Sequence, residues 1–236
     1  MNPIRLAKRT INRIRGEAVV SGITLPIDRS ILSPQMELTL AAGRYERRER
    51  KLASRIIRDG DVVLELGAGL GFISSYLRKS TGAGKIVAVE ANPRLIPYIQ
   101  RVHTMNASSN IEVLNGIVVP DHAGPETFSF YCRRDFWASS LRGASPFEVE
   151  LQVRAHILPD LLTMHRPDVL VMDIEGGELE LLSAKDLGTI RAAVIETHPH
   201  AYGPDGLAAL EANLERLGFR ADEDGTDGFV RTFIKS

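Results

Sequence analysis

The 236-residue chain predicts an α/β fold, a doubly wound and mostly parallel sheet with an N-terminal extension. Three observations predict it. Strand and helix signals alternate from Asp61 onward. Several strands ("DVVLEL", "KIVAVE", "PDVLVMD", "RAAVIET") are almost wholly apolar, as strands are when helices cover both faces of a sheet. A glycine cluster separates the first of these strands from the helix after it, and glycine permits the tight turn needed there.

The elements follow in order. "MNPIRLAKRTINRIR" is a short basic amphipathic segment, read as a solvated surface helix; an organelle-targeting or membrane-surface segment is the alternative. "EAVVSGITLPI" reads as a hairpin, and helices are expected around 34–42 and 46–58. "DVVLEL" is a strand, and a helix follows over about 71–79. "KIVAVE" is the next strand, "NPRLIPYIQRVHTMN" a helix and "IEVLNGIVV" a third strand. "ETFSFYC" and "VELQVRAH" alternate with period two and read as two more strands. "PDVLVMD" is a buried strand followed by a helix at "GELELLSA". "RAAVIET" is another, followed by the amphipathic helix "DGLAALEANLERLGF", closed by Gly218. "GFVRTFIKS" ends the chain as a strand. Residues 1–58 are expected to form a cap of hairpin and helices on a main domain of residues 59–236.

Composition narrows the function before any motif does. A hydrophobic content of 44% and a charged content of 25% are the mix of a soluble globular protein. No apolar run is long enough to span a bilayer. The basic start lacks the continuous apolar core of a secretory signal. The single cysteine, Cys132, excludes an internal disulfide and a Cys-based zinc site, so a reducing cytoplasm fits. A net charge of −1 gives no global field for nucleic acid. The charge is uneven: residues 1–55 hold 12 Lys/Arg against 5 Asp/Glu. In "RYERRERKLASR" the acids and bases interleave, which suits a solvated helix face better than a phosphate track.

The stretch "VVLELGAGLGF" carries the most information. Gly67-Ala68-Gly69-Leu70-Gly71 can approach a ligand closely and opens onto a helix N-terminus. A dinucleotide fingerprint would need glycine at position 72, where Phe72 stands. Glu65, two residues before the first glycine, would repel a pyrophosphate and hold an ammonium. The next strand ends in Glu90-Ala91-Asn92, and a carboxylate there can accept hydrogen bonds from both hydroxyls of a ribose. A ligand with a ribose, an amino-acid cation and no pyrophosphate is S-adenosylmethionine. Asn115-Gly116, ending the third strand, is a place for the adenine or a plain strand exit.

A second constellation lies further on. Asp173 and Glu175 follow "VLVM", and Glu196, His198 and His200 follow "AAVI". The fold would set these strands side by side, so both groups would face one crevice at the carboxyl ends of the strands. Asp173 would orient the nucleophile or the methionyl part of the cofactor. His198 is the leading general base, since imidazole titrates near working pH. Glu175 and Glu196 would orient groups or bind a divalent metal, which this spacing permits without requiring. Helix capping is the alternative for Asp173, and a polar loop for His198 and His200. Glu178 and Glu180 read as acids complementing a helix dipole. In "RRDFWASSLRG", Trp137, Ser139 and Ser140 suit a substrate wall or a loop anchor.

Together, "GRYE", "LELGAGLGF", "VAVEANPRLIPYIQRV", "WASSL", "DVLVMDIEGGELELL" and "VIETHPH" resemble the FkbM family of class I S-adenosylmethionine-dependent methyltransferases. The resemblance covers about Gly43 to Gly218, and Asp173, Glu175, Gly176 and Glu178 are its most specific part. It implies a seven-stranded Rossmann-like sheet, a cradle of Glu65, Gly67, Gly69 and Gly71, a ribose held by Glu90, and Tyr45 and Glu46 closing the pocket. It also implies O-methylation of a small molecule or saccharide. Many relatives carry Asp at position 65 and Asn at position 69; neither change removes the backbone cradle. The first 40 residues have no match. Three rivals stand beside this reading: an RNA methyltransferase using the basic N-terminus, a nicotinamide oxidoreductase, and a non-catalytic binding module. The near-zero charge and the missing Asn/Asp-Pro-Pro-aromatic motif argue against the first. Phe72 and Glu65 argue against the second, and the acids at both strand ends against the third. The sequence leaves a homo-oligomer open.

Overall fold

The computed structural model describes residues 3–136, 139, 141 and 146–236. Helix α1 (Pro3–Arg15) opens the chain. A hairpin of β1 (Glu17–Val20) and β2 (Ile23–Pro26) follows. Its Ser21-Gly22 turn has positive φ at both residues, the twist that joins two strands in two residues. Helix α2 (Pro34–Ala41) starts where the Ser33 side chain accepts from the Met36 N–H, and α3 (Arg47–Ile56) comes next. These elements lie where the sequence places them.

The alternating series then runs β3 (Val62–Leu66), α4 (Phe72–Ser80), β4 (Lys85–Glu90), α5 (Ile96–Met105) and β5 (Ile111–Asn115). After β6 (Ile117–Val119), β7 (Thr127–Cys132) and β8 (Val149–Ile157) come α6 (Leu158–His165), β9 (Val169–Met172) and α7 (Glu178–Leu181). The chain closes with β10 (Ala192–Glu196), α8 (Pro199–Arg216), β11 (Phe219–Asp227) and β12 (Val230–Lys235).

Seven strands form the main sheet in the order β5-β4-β3-β9-β10-β12-β11, with β12 antiparallel to both its neighbours. From β3 the chain steps outward to β4 and β5, then returns to β9 on the other side of β3. The strand order therefore reverses between β3 and β9, and the crevice for a ligand lies beyond their carboxyl ends.

Three segments differ from the sequence expectation. "IEVLNGIVV" is two strands, not one: Gly116 has φ +151°, and a Cβ there would stand 2.4 Å from the Arg154 carbonyl oxygen. The corner sends β6 out of the main sheet to pair with β8, which also pairs with β7. The two strands expected at 126–132 and 149–156 thus build a separate three-stranded sheet. Helix α6 and strand β11 appear where no element was expected; the polar "RADEDGTD" hides an edge strand that needs only one covered face. Helix α8 begins at Pro199, ahead of the expected start, and kinks at Gly203.

One apolar cluster joins Ile23, Leu25, Leu32 and Leu52 of the N-terminal segment to Val63, Phe72 and Val194. Phe72 sits edge-on to Tyr45 at 5.5 Å and stacks on Tyr76 at 6.0 Å. Another cluster joins Leu64 and Leu170 to Leu161, Leu210 and Leu214. The N-terminal segment is thus part of the main core. Among the described residues, no helix is long and apolar enough to cross a membrane.

Candidate active site

The loop after β3 is built for close approach. Gly67 has φ +86°, and a Cβ on it would stand 1.7 Å from the Asp173 carbonyl oxygen, so glycine is forced where β3 passes the end of β9. Gly69 has φ +52°, and its missing Cβ would reach the Tyr45 hydroxyl at 3.0 Å. Gly71 serves packing: a Cβ would press on Ile99 at 2.9 Å, so it lets α4 close on α5. Ala68 and Phe72 are buried core residues.

Glu90 ends β4 and is bound to backbone by both oxygens. Oε2 accepts the Gly69 N–H at 2.8 Å and Oε1 accepts the Asn92 N–H at 2.8 Å. Each oxygen keeps a lone pair for a hydroxyl. Burial pushes its carboxyl up to about 7, with the backbone donors opposing. Asn115 donates to the Glu90 and Ala91 carbonyl oxygens, tying the β4 and β5 exits together. Asn92 is buried, and its Oδ1 accepts from the Arg94 N–H.

These residues border a cleft of about 1620 Å³, walled by Gly69, Glu90, Gly116, Phe136, Asp173 and Glu175 among others. That exceeds the roughly 300–1,000 Å³ of an ordinary ligand pocket, which leaves room for a cofactor and an acceptor together. At its floor, a small pocket is lined by Glu46, Glu49, Glu65, Asp173 and Glu196. Glu65 is buried here rather than on the cleft wall, and its Oε2 has no partner. Burial pushes Glu65 up to about 8, partly offset by the Ser74 hydroxyl. Burial likewise raises Glu46, Glu49 and Asp173, and the neighbouring carboxylates add to the shift. Five acids around one pocket suit a cationic group, whose charge would let them ionise.

The second strand end lies beside the first because β9 and β10 pair in parallel, with Met172 opposite Ile195. Asp173 and Glu196 are therefore neighbours. Glu175 is held at φ +54°, in the left-handed region that costs an ordinary residue about 1–2 kcal/mol. Gly176 follows at φ +103°, and its missing Cβ would stand 2.6 Å from the Ala201 methyl.

His198 is buried beside them. Its Nδ1 lies 2.9 Å from Oε1 of Glu178, which is fully buried. Its Nε2 lies 3.6 Å from Asp173 and 3.5 Å from Glu175. Burial lowers the His198 pKa, but the Glu178 hydrogen bond and the carboxylates of Glu178, Glu175 and Glu196 outweigh it and the net shift is upward. Burial raises Glu175 to about 7, with His198 opposing. Ligand atoms of Asp173, Glu196 and His198 all lie within 4.8 Å of one another, close enough to hold a divalent ion.

The sequence-predicted residues thus meet, with exceptions. Tyr45 and Glu46 reach the cleft from the segment before α3. Ser139 is buried on the cleft wall and its hydroxyl accepts the Arg133 N–H at 2.9 Å. His200 is exposed and packs edge-on to His198 at 5.5 Å. Trp137 and Ser140 lie outside the described residues. Sequence reasoning missed three participants. Glu178 passes for a dipole-complementing acid but is the partner of His198; the signal was its place in Asp-x-Glu-Gly-x-Glu. Glu49 joins the acid pocket from a helix whose charges read as solvated. Phe136, next to the quoted Trp137, lies on the cleft wall, its ring 3.8 Å from where a Cβ on Gly69 would stand.

Comparisons with known proteins agree with this geometry. Residues 65–221 match the profile of the Methyltransferase FkbM domain. "Methyltransferase sdnD" of Sordaria araneosa is 25% identical over 197 residues, covering 69% of this chain and 74% of that protein. "Probable ribosomal RNA small subunit methyltransferase A" of Thermococcus onnurineus is 37% identical over 68 residues. That match covers 29% of this chain and 23% of the relative, so the chain spans about a quarter of it. A crystal structure of a methyltransferase from Pyrococcus furiosus superposes with a TM-score of 0.52 at 16% identity, covering 98% of each chain, and so shares the fold. The glycine cradle, the strand order with its antiparallel β12 and the matched residues lead to one conclusion: the chain belongs to the FkbM family of S-adenosylmethionine-dependent methyltransferases.

Proposed function

We propose that this protein transfers a methyl group to a hydroxyl of a small molecule or saccharide. The observation that carries the reading is the buried Glu178–His198 pair, with Nε2 aimed at Asp173 and Glu175 on the cleft. When bound, S-adenosylmethionine supplies an electrophilic methyl group on a sulfonium. The residues present fit it. Gly67 and Gly69 bring bare backbone to the cleft, Glu90 has acceptor capacity for a ribose, and the unpartnered Oε2 of Glu65 faces an acid-lined pocket suited to an ammonium. Asn115 and Gly116 flank the adenine position.

On the acceptor side, Glu178 accepts a hydrogen bond from the Nδ1–H of His198, which keeps the proton on Nδ1 and leaves Nε2 with a free lone pair. Nε2 then removes the hydroxyl proton as the oxygen becomes nucleophilic. Glu178 also steadies the imidazolium that results. Asp173 accepts a hydrogen bond from the same hydroxyl and fixes its direction, and Glu175 and Glu196 hold neighbouring hydroxyls. Positioning of this kind is worth several powers of ten in rate. Tyr45, Phe136, Ser139 and His200 form walls of the acceptor space.

The test is a screen of hydroxylated metabolites and glycans for homocysteine release, with His198→Ala beside the wild type. The reading requires an acceptor that the wild type methylates on oxygen and the variant does not. Methylation of a base or an amine instead would overturn it. The partial likeness to ribosomal RNA methyltransferases makes an RNA acceptor the second reading, so structured RNA belongs in the screen.

A further inference from the structure

Helix α1 is mounted the wrong way round for a soluble protein. At about 100° per residue, Ile4, Ala7, Ile11 and Ile14 fall within an arc of about 80°. Ile4 is 66% exposed, Ile11 45% and Ile14 81%. The helix docks by its polar face instead. Arg9 and Arg13 each place Nε 2.6 Å from the same oxygen of Glu37 on α2, and Glu37 is almost fully buried. An amphipathic helix ordinarily turns its apolar stripe to the core. Here a buried charge network turns that stripe outward.

The charges say what covers it. The helix carries Arg5, Lys8, Arg9, Arg13 and Arg15 and no acid. Arg9 and Arg13 serve Glu37, while Lys8 and Arg15 lie within about 40° of Ile4 at the edge of the stripe. A second copy laid on the stripe would set cations against cations. An apolar stripe edged by cations instead matches the boundary between acyl chains and acidic headgroups.

We propose that α1 seats the protein on an anionic lipid surface, with the isoleucine stripe between the acyl chains and Lys8 and Arg15 among the headgroups. Helix α2 carries both the Glu37 anchor and Gln35, Met36 and Thr39 of the cleft wall. The lipid-facing helix is therefore one helix away from the acceptor space. The proposal goes beyond the methyltransferase reading and does not depend on it.

The test is co-sedimentation of the full chain with vesicles. Pure phosphatidylcholine is compared with vesicles holding roughly 30% phosphatidylglycerol. The protein should bind the anionic vesicles, bind the neutral ones at least tenfold more weakly, and release as salt rises (roughly tenfold effects follow from screening). Ile11→Ser with Ile14→Ser should weaken anionic binding about tenfold or more, and Lys8→Glu with Arg15→Glu should do the same. These side chains are exposed, so circular dichroism and calorimetric binding of S-adenosylmethionine should match the wild type. No binding to anionic vesicles, or binding unchanged in the isoleucine variant, would overturn the proposal. So would a concentration-dependent dimer in sedimentation velocity that the isoleucine variant abolishes, since the stripe would then be covered by a second copy.

Discussion

The two strand ends that face the cleft are built on opposite plans. At the ends of β4 and β5 the polar groups are spoken for: both Glu90 oxygens hold backbone N–H groups, and Asn115 spans two carbonyl oxygens, while Glu65 beneath them on β3 keeps one oxygen unbonded. At β9 and β10 they are left open. Asp173 keeps a buried oxygen without a hydrogen bond, Glu178 another, and Glu175 sits in a strained conformation. On the proposed reading the first half is a mould that recognises by shape, and the second is a charged cluster that moves a proton. A binding site gains from preorganised geometry, whereas a site of proton transfer needs groups that are not fully committed.

Substitutions that strike each half separately would sharpen this contrast or break it. The largest effect belongs to the mould. Gly67→Ala forces a methyl into the Asp173 carbonyl at a left-handed position, so it should cost about 2–5 kcal/mol of stability and abolish cofactor binding. Gly43→Ala is the control: φ is +67° but the space is open, so only about 1 kcal/mol should be lost. Thermal melts and calorimetry read both. Equal losses would mean that Gly67 answers to backbone strain and not to crowding.

Next comes the reactive half. His198→Ala should lower kcat by roughly 10²–10⁴-fold and leave cofactor affinity within about threefold. Loss of affinity with kcat preserved would move His198 into the mould. Glu178→Gln should lower kcat by roughly tenfold or more and also shift its pH profile. The base works when neutral, so activity rises as pH rises through its pKa. The carboxylates hold that pKa above the ordinary histidine value. Removing the Glu178 charge should move the acidic limb of the profile to lower pH, an effect that a purely structural residue would not produce.

A smaller effect concerns Glu65. Its folded carboxyl titrates near 8, above the usual carboxylate range, because burial disfavours the charge. The unfolded chain releases this proton first, so stability contributed below the unfolded pKa is lost as pH rises toward 8. Glu65→Gln should flatten the melting temperature of the free protein between about pH 5 and 8, a change of a few degrees. The smallest expected effect is none: EDTA should leave turnover unchanged, because Nε2 of His198 is assigned to a proton. Lost turnover restored by Mg²⁺ or Mn²⁺ would make His198, Asp173 and Glu196 ligands instead.

The parts legible in the sequence were those that local chemistry dictates. Apolar runs announced β3, β4, β9 and β10, and adjacency of the last two placed Asp173 beside Glu196. Glycines 67 and 69 announced the tight turn after β3, because positive φ and close neighbours disfavour side chains there. What escaped depends on distant partners. Nothing in "GELELL" says that Glu178 meets a histidine 20 residues on. Nothing around Glu65 says that α3 brings Glu49 to the same pocket. The orientation of α1 escaped for the same reason: its periodicity was clear, but Glu37 decided which face turned inward.

Gly116 divides the labour of the chain. From β3 to Asn115 every strand belongs to the main sheet, and on the proposed reading these strands carry the methyl donor. Beyond the corner, β6 and β7 supply Ile117, Val119, Phe128 and Phe130 to the opposite wall of the cleft from a sheet of their own. Substitutions in that small sheet would reshape one wall of the cleft while the strands of the main sheet keep their register. The corner that parts one wall from the other is a residue without a side chain.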